Sequence, residues 1–353
     1  MAISGVIGRT FTTDVIIDHA FRGVRLDPES VGGEEIDTAV TQLNLMFSAW
    51  ANSGVPLWCQ TKYILALREG VYTLDVNAQF PGIVDILEAN LRQCHRFIGM
   101  ATSSEGNATL AFDFNPTTAC TQTTPGGQIT MQILTALGVE NVGVMPFVNG
   151  VWNISFQYSN DGATWTTFYT NAAFTAVAGQ FTWIDFQGLP NATYWRLQAN
   201  GTTILNVAEL FWGNQAQEIQ IARINKDDYW NLPNKSFKGR PVQYWCDRQL
   251  NGPVMQIWPS PGPQYVFQSI PILAHRQIMN TTDMSGTIEV PQRVFDAVWM
   301  SLSERLRTVI TKVDKQATMD IPGMAQQARM LMWGEEVDQS PINLQLDISP
   351  YTK

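Results

Sequence analysis

The chain of 353 residues is 45% hydrophobic and only 15% charged. That length suggests about two domains with enough apolar material for true cores, and the composition argues against intrinsic disorder. A formal net charge of -9 argues against a protein whose whole surface holds nucleic acid.

No run approaches the ~20 apolar residues of a membrane helix. The N-terminus, MAISGVIGRTF, lacks the charged and apolar regions of a secretory signal, so no membrane or secreted location is expected. The N-x-S/T triplets at Asn107, Asn153, Asn191, Asn200, Asn234 and Asn280 then reflect abundant Asn and Thr rather than glycosylation. Cys59, Cys94, Cys120 and Cys246 are scattered, with no C-x-x-C, and read as reduced thiols.

Thr12 or Thr13 caps a first helix running to about Val24. Ile36, Val40, Leu43, Phe47 and Trp50, spaced by four, three, four and three, predict a second helix over 34–53, with Glu34 and Glu35 at its positive end. The period then changes. Tyr63, Leu65 and Leu67 alternate, Gly70 turns, and Val71 to Leu74 returns as the second arm of a hairpin, followed by a strand from Ile83 to Arg92. Residues 57–92 should pair with strands within 217–276, more than a hundred residues away, so 99–214 is an insertion. The insertion holds one basic residue, Arg196, against Glu105, Asp113, Glu140, Asp161, Asp185 and Glu209. Its short β-rich runs, separated by turns such as Asn149-Gly150 and Asn160-Asp161-Gly162, predict an antiparallel jelly-roll sandwich.

Beyond it, Ile219, Ile221 and Ile224 suit the end of a half-buried strand. Asp227 and Asp228 open a single helical turn stopped by Pro233. A basic loop with Gly239 leads to a strand placing Val242, Tyr244 and Cys246 on one face and Gln243, Trp245 and Asp247 on the other. Phe295, Trp299, Leu302, Leu306 and Val309 mark a third helix over 291–313, and a fourth covers 322–334. Arg293, Arg305, Arg307, Lys312 and Lys315 on the third read as a solvated face rather than a DNA-contacting stripe. In the tail, 340–353, Ile342, Leu344, Leu346 and Ile348 alternate with polar residues, as in an extended arm that adds to a sheet edge of its own or another chain.

Two segments carry a resemblance. Arg223, Ile224, Asp228, Tyr229, then Pro233, Asn234, Lys235, then Gly239, Arg240, Pro241, Tyr244, Arg248, and finally Trp258, Pro259 resemble the R-I…D-Y, P-N-K, G-R-P-x-x-Y-x-x-x-R and W-P pattern of the head-to-tail adaptor proteins of short-tailed bacteriophages. Asn44, Met46 and Trp50 fill the N-x-M-x-x-x-W of that family's second helix. Separately, Ser159, Asn160, Asp161, Gly162 and Trp165, with Tyr194 to Leu197 and Ala208 to Leu210, resemble a discoidin-like module of the galactose-binding-like jelly rolls.

The resemblance implies an α+β multidomain chain. A discontinuous core, 1–98 and 215–339, would combine a helical bundle with a small antiparallel β module, interrupted by the sandwich at 99–214 and followed by the arm. It implies a structural connector in the virion, assembled in the host cytoplasm: a twelve-fold homo-oligomeric ring under the portal, touching a tail nozzle or tube and fibres, with double-stranded DNA passing through. Contacts with portal or neighbouring subunits are expected from Asp228, Tyr229, Lys235 and Arg240, and from Ile342, Leu344, Leu346 and Ile348. The alternative is a glycan-binding tail protein whose ligand loops include Asn160, Asp161 and Trp165. Metal-ligand spacings, phosphate loops and nucleophile elbows are missing, so no cofactor, metal or catalytic residue is expected. The acidic pairs Glu34-Glu35, Asp227-Asp228 and Glu335-Glu336 read as helix ends or solvated faces.

Overall fold

The computed structural model describes residues 11–53 and 57–335. The chain divides into two compact units, one built from residues up to Gln60 and from His275 onward, the other from Thr61–Ala274.

The first unit holds helices α1 (Thr13–Gly23) and α2 (Gly33–Ser53), and the later pair α5 (Phe295–Val309) and α6 (Ile321–Glu335); α3 (Val76–Gln79) and α4 (Lys226–Asn231) are short helices of the second unit. The apolar stripes read from the sequence meet in one core: Ile16, Ile17 and Phe21 of α1, Leu43, Met46 and Phe47 of α2, and Val298, Leu302 and Leu306 of α5. Burying each such side chain is worth about 1.5–3 kcal/mol. Neither Thr12 nor Thr13 caps α1 with its side chain. The free N–H groups of Thr13 and Asp14 instead reach Gly286 O and Met284 O of the loop before α5, and Thr13 Oγ1 bonds Thr281 Oγ1 at 2.6 Å. The third helix is shorter than expected: Pro291 precedes a single 3-10 turn, Gln292–Val294, and α5 stops at Val309 because Ile310 is extended.

The second unit is nearly all β. Its strands are β1 (Gln60–Ala66), β2 (Thr73–Asp75), β3 (Ile83–Arg96), β4 (Gly99–Ser103), β5 (Cys120–Thr121), β6 (Gln128–Leu137), β7 (Asn141–Pro146), β8 (Gly150–Ser159), β9 (Thr166–Ala176), β10 (Thr182–Asp185), β11 (Ala192–Ala199) and β12 (Asn206–Gln220). They continue with β13 (Ala222–Arg223), β14 (Lys238–Gly239), β15 (Gln243–Gln249), β16 (Gly252–Trp258), β17 (Ser260–Pro261) and β18 (Ser269–Arg276). A large sheet runs β1-β18-β3-β12-β7-β10, with β5 also on β12. One end faces the sheet β4-β6-β11-β8-β9 across a core of Trp152, Ile154, Phe156, Trp195, Leu197, Val144, Leu210 and Trp212, forming the jelly-roll-like sandwich. The other end faces the sheet β13-β15-β16-β2, with Leu65, Leu91 and Ile272 packed on Leu74, Tyr244, Met255 and Ile257.

Two expectations are corrected here. The predicted hairpin does not form: β1 pairs within the large sheet and β2 pairs β16, so Leu65 and Leu74 reach one core from opposite sheets. Gly70, at φ +71, turns the chain between them, its N–H held by Pro261 O. Nor does the β module group with the helices. It shares a sheet with the sandwich, because β12 pairs β7 in its first half and β3 in its second, keeping backbone hydrogen bonds continuous across residue 214. A bulge between Asn214 and Gln217, with Gln215 at φ +51, marks the passage. Among the described residues no helix is long and apolar enough to cross a membrane.

Candidate functional site

The stretch from Ile219 to Trp258 folds into interlocking supports. Asn225 caps α4 by accepting from Asp228 N at 2.8 Å. At the other end of this short helix, Lys235 donates to the carbonyls of Tyr229 and, at 3.0 Å, of Leu232, with its ammonium 4.4 Å from the centre of the Tyr229 ring. Burial lowers the Lys235 pKa. The Tyr229 ring lies 5.5 Å from Trp245 and its hydroxyl reaches Gln256 Oε1 at 3.3 Å. Trp258 Nε1 donates to Asn234 O at 2.8 Å, and β14 pairs β17 beside Pro259.

Arg223 of β13 and Arg248 of β15 converge on Asp85 of β3. Arg223 reaches Asp85 Oδ1 at 3.0 Å and Ile86 O at 2.8 Å, while Arg248 and the Cys246 thiol hold the same carboxylate. Burial alone would raise the Asp85 carboxyl; the bonds from Arg248 and Cys246 and the Arg223 charge outweigh it and hold it below the usual range. Burial pushes the Cys246 thiol up to about 12. In the helical unit Asn44 exchanges two 2.9 Å hydrogen bonds with the Thr281 backbone, Met46 is buried and Trp50 nearly so.

Of the residues expected to make contacts, Tyr229 is buried and Lys235 is engaged within its own loop. Asp228 is exposed, with the exposed ring of Trp230 beside Tyr229. Arg240 is half-buried, and its Nε has no hydrogen-bond partner among the described residues. Ile342, Leu344, Leu346 and Ile348 lie outside the described residues.

The sandwich loop is likewise internally satisfied. Asp161 Oδ1 accepts from Ala163 N, Thr164 N and Ser159 Oγ, each at 2.8 Å, and these donors hold its carboxyl far below the usual range. Ser159 Oγ in turn accepts from Gly162 N at 3.0 Å, and Gly162 takes φ +71. The guanidinium of Arg196 lies 3.9 Å from the Trp165 ring centre. Asn160 is exposed, and its carbonyl accepts from Thr193. The S-N-D-G-x-x-W pattern therefore builds a turn.

Sequence reasoning missed Asp85, although a carboxylate inside the apolar run Ile83 to Leu87 was a usable signal. It also missed Glu209. That carboxyl is fully buried at Arg96, which reaches Glu209 Oε2 at 2.9 Å and lies 3.9 Å from the Phe114 ring centre. Burial pushes Glu209 up to about 7 against the Arg96 charge. Cys94, Cys120 and Cys246 are free thiols, and among the described residues no cluster of three or more His, Cys, Asp or Glu is placed to hold a metal ion.

No family model and no curated protein matches this chain. Similar solved structures include chitosan-binding module 1 of a chitosanase/glucanase from Paenibacillus sp. IK-5, at 21% identity over 34% of this chain and 99% of that one, TM-score 0.30. The family 32 CBM of Clostridium perfringens NanJ, solved with galactose, is 14% identical over 33% of this chain and 93% of that one, TM-score 0.28. A CBM32 of AlyQ, solved with 4,5-unsaturated mannuronic acid, is 20% identical over 33% of this chain and 97% of its own, TM-score 0.28.

Proposed function

We propose that this chain is a structural head-to-tail adaptor of a tailed phage, forming a ring beneath the portal that joins capsid to tail and helps retain packaged DNA. The observation that supports it is where the adaptor-like residues fall. Asn44 pins a loop to α2, Arg223 and Arg248 share Asp85, Lys235 closes α4 and Trp258 holds Asn234. Side chains of those types at those places are what these local structures require, which supports the reading. In this reading the protein resides at the head-tail junction, is assembled in the host cytoplasm, and has no catalytic role. Asp228, Trp230 and Arg240, which are wholly or partly exposed, meet portal, tail nozzle or the next subunit. The test is sedimentation of the purified chain with its portal ring, together with virion proteomics. Co-migration and presence in the virion are expected; separate migration and absence from the virion sink the reading.

A second reading, a glycan-binding tail protein, is favoured by the jelly-roll-like sandwich and its discoidin-like signature. Because Asp161 and Trp165 are engaged within the domain, ligand would meet other loop atoms, Asn160 among them. A glycan array probed with the full chain decides it: binding to host polysaccharide supports this reading, and a blank array leaves the sandwich a docking or decorating element.

A further inference from the structure

Where the sandwich joins the β module, a cleft of about 340 Å³ is lined by Lys62, Arg92, Glu140, Asn141, Asp185 and Phe186 among others. Its buried donors are engaged. Arg92, almost fully buried, directs Nε and one terminal nitrogen at Glu218 and the other at Asp185 Oδ1, 2.5 Å away. Asn141 is 1% exposed, and its Nδ2 donates to the same Asp185 oxygen at 2.7 Å. That bond fixes the amide orientation, since a flipped amide would set two acceptors face to face.

Acceptors remain. Asn141 Oδ1 is buried with no hydrogen-bond partner among the described residues, a condition that costs free energy until something donates to it. Asp185 Oδ2 lies 4.0 Å from Lys62 Nζ, beyond hydrogen-bond range, because that ammonium sits nearer Glu218 at 3.2 Å. The exposed Glu140 adds a second carboxylate. Three carboxylates, Glu140, Asp185 and Glu218, against Lys62 and Arg92 leave one negative charge.

We propose that this cleft binds a primary ammonium group, from a free polyamine or from a lysine side chain of a partner protein. An ammonium offers three donors and no acceptor, matching Asn141 Oδ1, Asp185 Oδ2 and Glu140. A neutral sugar would also need donors from the cleft, and the buried ones, on Arg92 and Asn141, are already committed. Lys62 shows that an ammonium is accepted at the rim. Its removal should open the site.

The test titrates the full chain calorimetrically with putrescine, with the peptide Gly-Lys-Gly capped at both ends, with its lysine-acetylated form, and with galactose. Binding of putrescine or the lysine peptide is expected, and whichever binds more tightly identifies the source. The acetylated peptide and galactose should not bind. Asp185→Asn and Glu140→Gln should each weaken binding by about tenfold, and Lys62→Gln should tighten it. Glu140 and Lys62 are exposed, so those two variants carry the test even if Asp185→Asn fails to fold. No binding of either ammonium probe to the wild type or to Lys62→Gln overturns the proposal, as does galactose binding that is weakened by the same substitutions.

Discussion

Asp85 and Glu209 are both carboxylates buried against arginine in the larger unit, yet their proton affinities move in opposite directions. Asp85 meets two arginines whose side chains keep 39% and 62% of their exposure, so it gains two charge-assisted bonds while its partners stay hydrated. Glu209 is fully buried and meets one arginine, itself 9% exposed and stacked on aromatic rings. That arginine and the Asn115 N–H, 2.8 Å from Oε1, do not offset the desolvation of both charges, and the carboxyl rises to about 7. What decides the outcome is how much water each partner retains and how many donors converge, not the presence of an ion pair.

The largest effect should come from breaking the drier pair. Arg96→Leu strands Glu209, and denaturation should show a loss of about 3–5 kcal/mol in the transition of the larger unit, smaller at pH 5 where Glu209 takes up a proton. A loss unchanged between pH 5 and pH 8 would contradict the raised carboxyl.

The pH dependence sharpens the contrast. Glu209 binds its proton more tightly folded, about 7, than at its ordinary value of 4.5, so its contribution favours folding at low pH and is lost as pH rises through that window, by at most about 3 kcal/mol. Asp85, lowered from 3.8, has the opposite sign: its contribution is present above that value and is lost as pH falls below it. Stability against pH for Glu209→Gln should therefore flatten between 4.5 and 7, whereas Asp85→Asn should change the profile only below about 4.

The smallest effect concerns the loop next to the Asp85 cluster. Lys235→Met removes the donor to the α4 carbonyls, and thermal unfolding should reveal a loss of about 1 kcal/mol. Loss of the Arg223–Asp85 contact in that variant, seen by crystallography, would show that loop and ion cluster form one device rather than two.

Much of the fold was legible from period. The spacing of Ile36 to Trp50 gave α2, the alternation around Tyr244 and Cys246 gave β15, and the turn chemistry of 99–214 gave the sandwich. The hairpin at Gly70 was misread because alternation reports a strand but not its partner: Leu65 and Leu74 satisfy the same core from different sheets. The site was less legible. Tyr229, Lys235 and Asp161 have side chains that suit display, and burial and local hydrogen bonds turned each inward.

By itself the sequence determined the elements, the turns and the abrupt acidic composition of the insertion, because periodicity and turn propensity act over a few residues. Only the tertiary structure decided that β3 and β12 run through both β regions and bind them into one unit. Only it brought Asp85 to two arginines and Arg92, Asn141 and Asp185 to one cleft. Those pairings join residues separated by tens to well over a hundred positions, and their energies depend on burial, which no local pattern encodes.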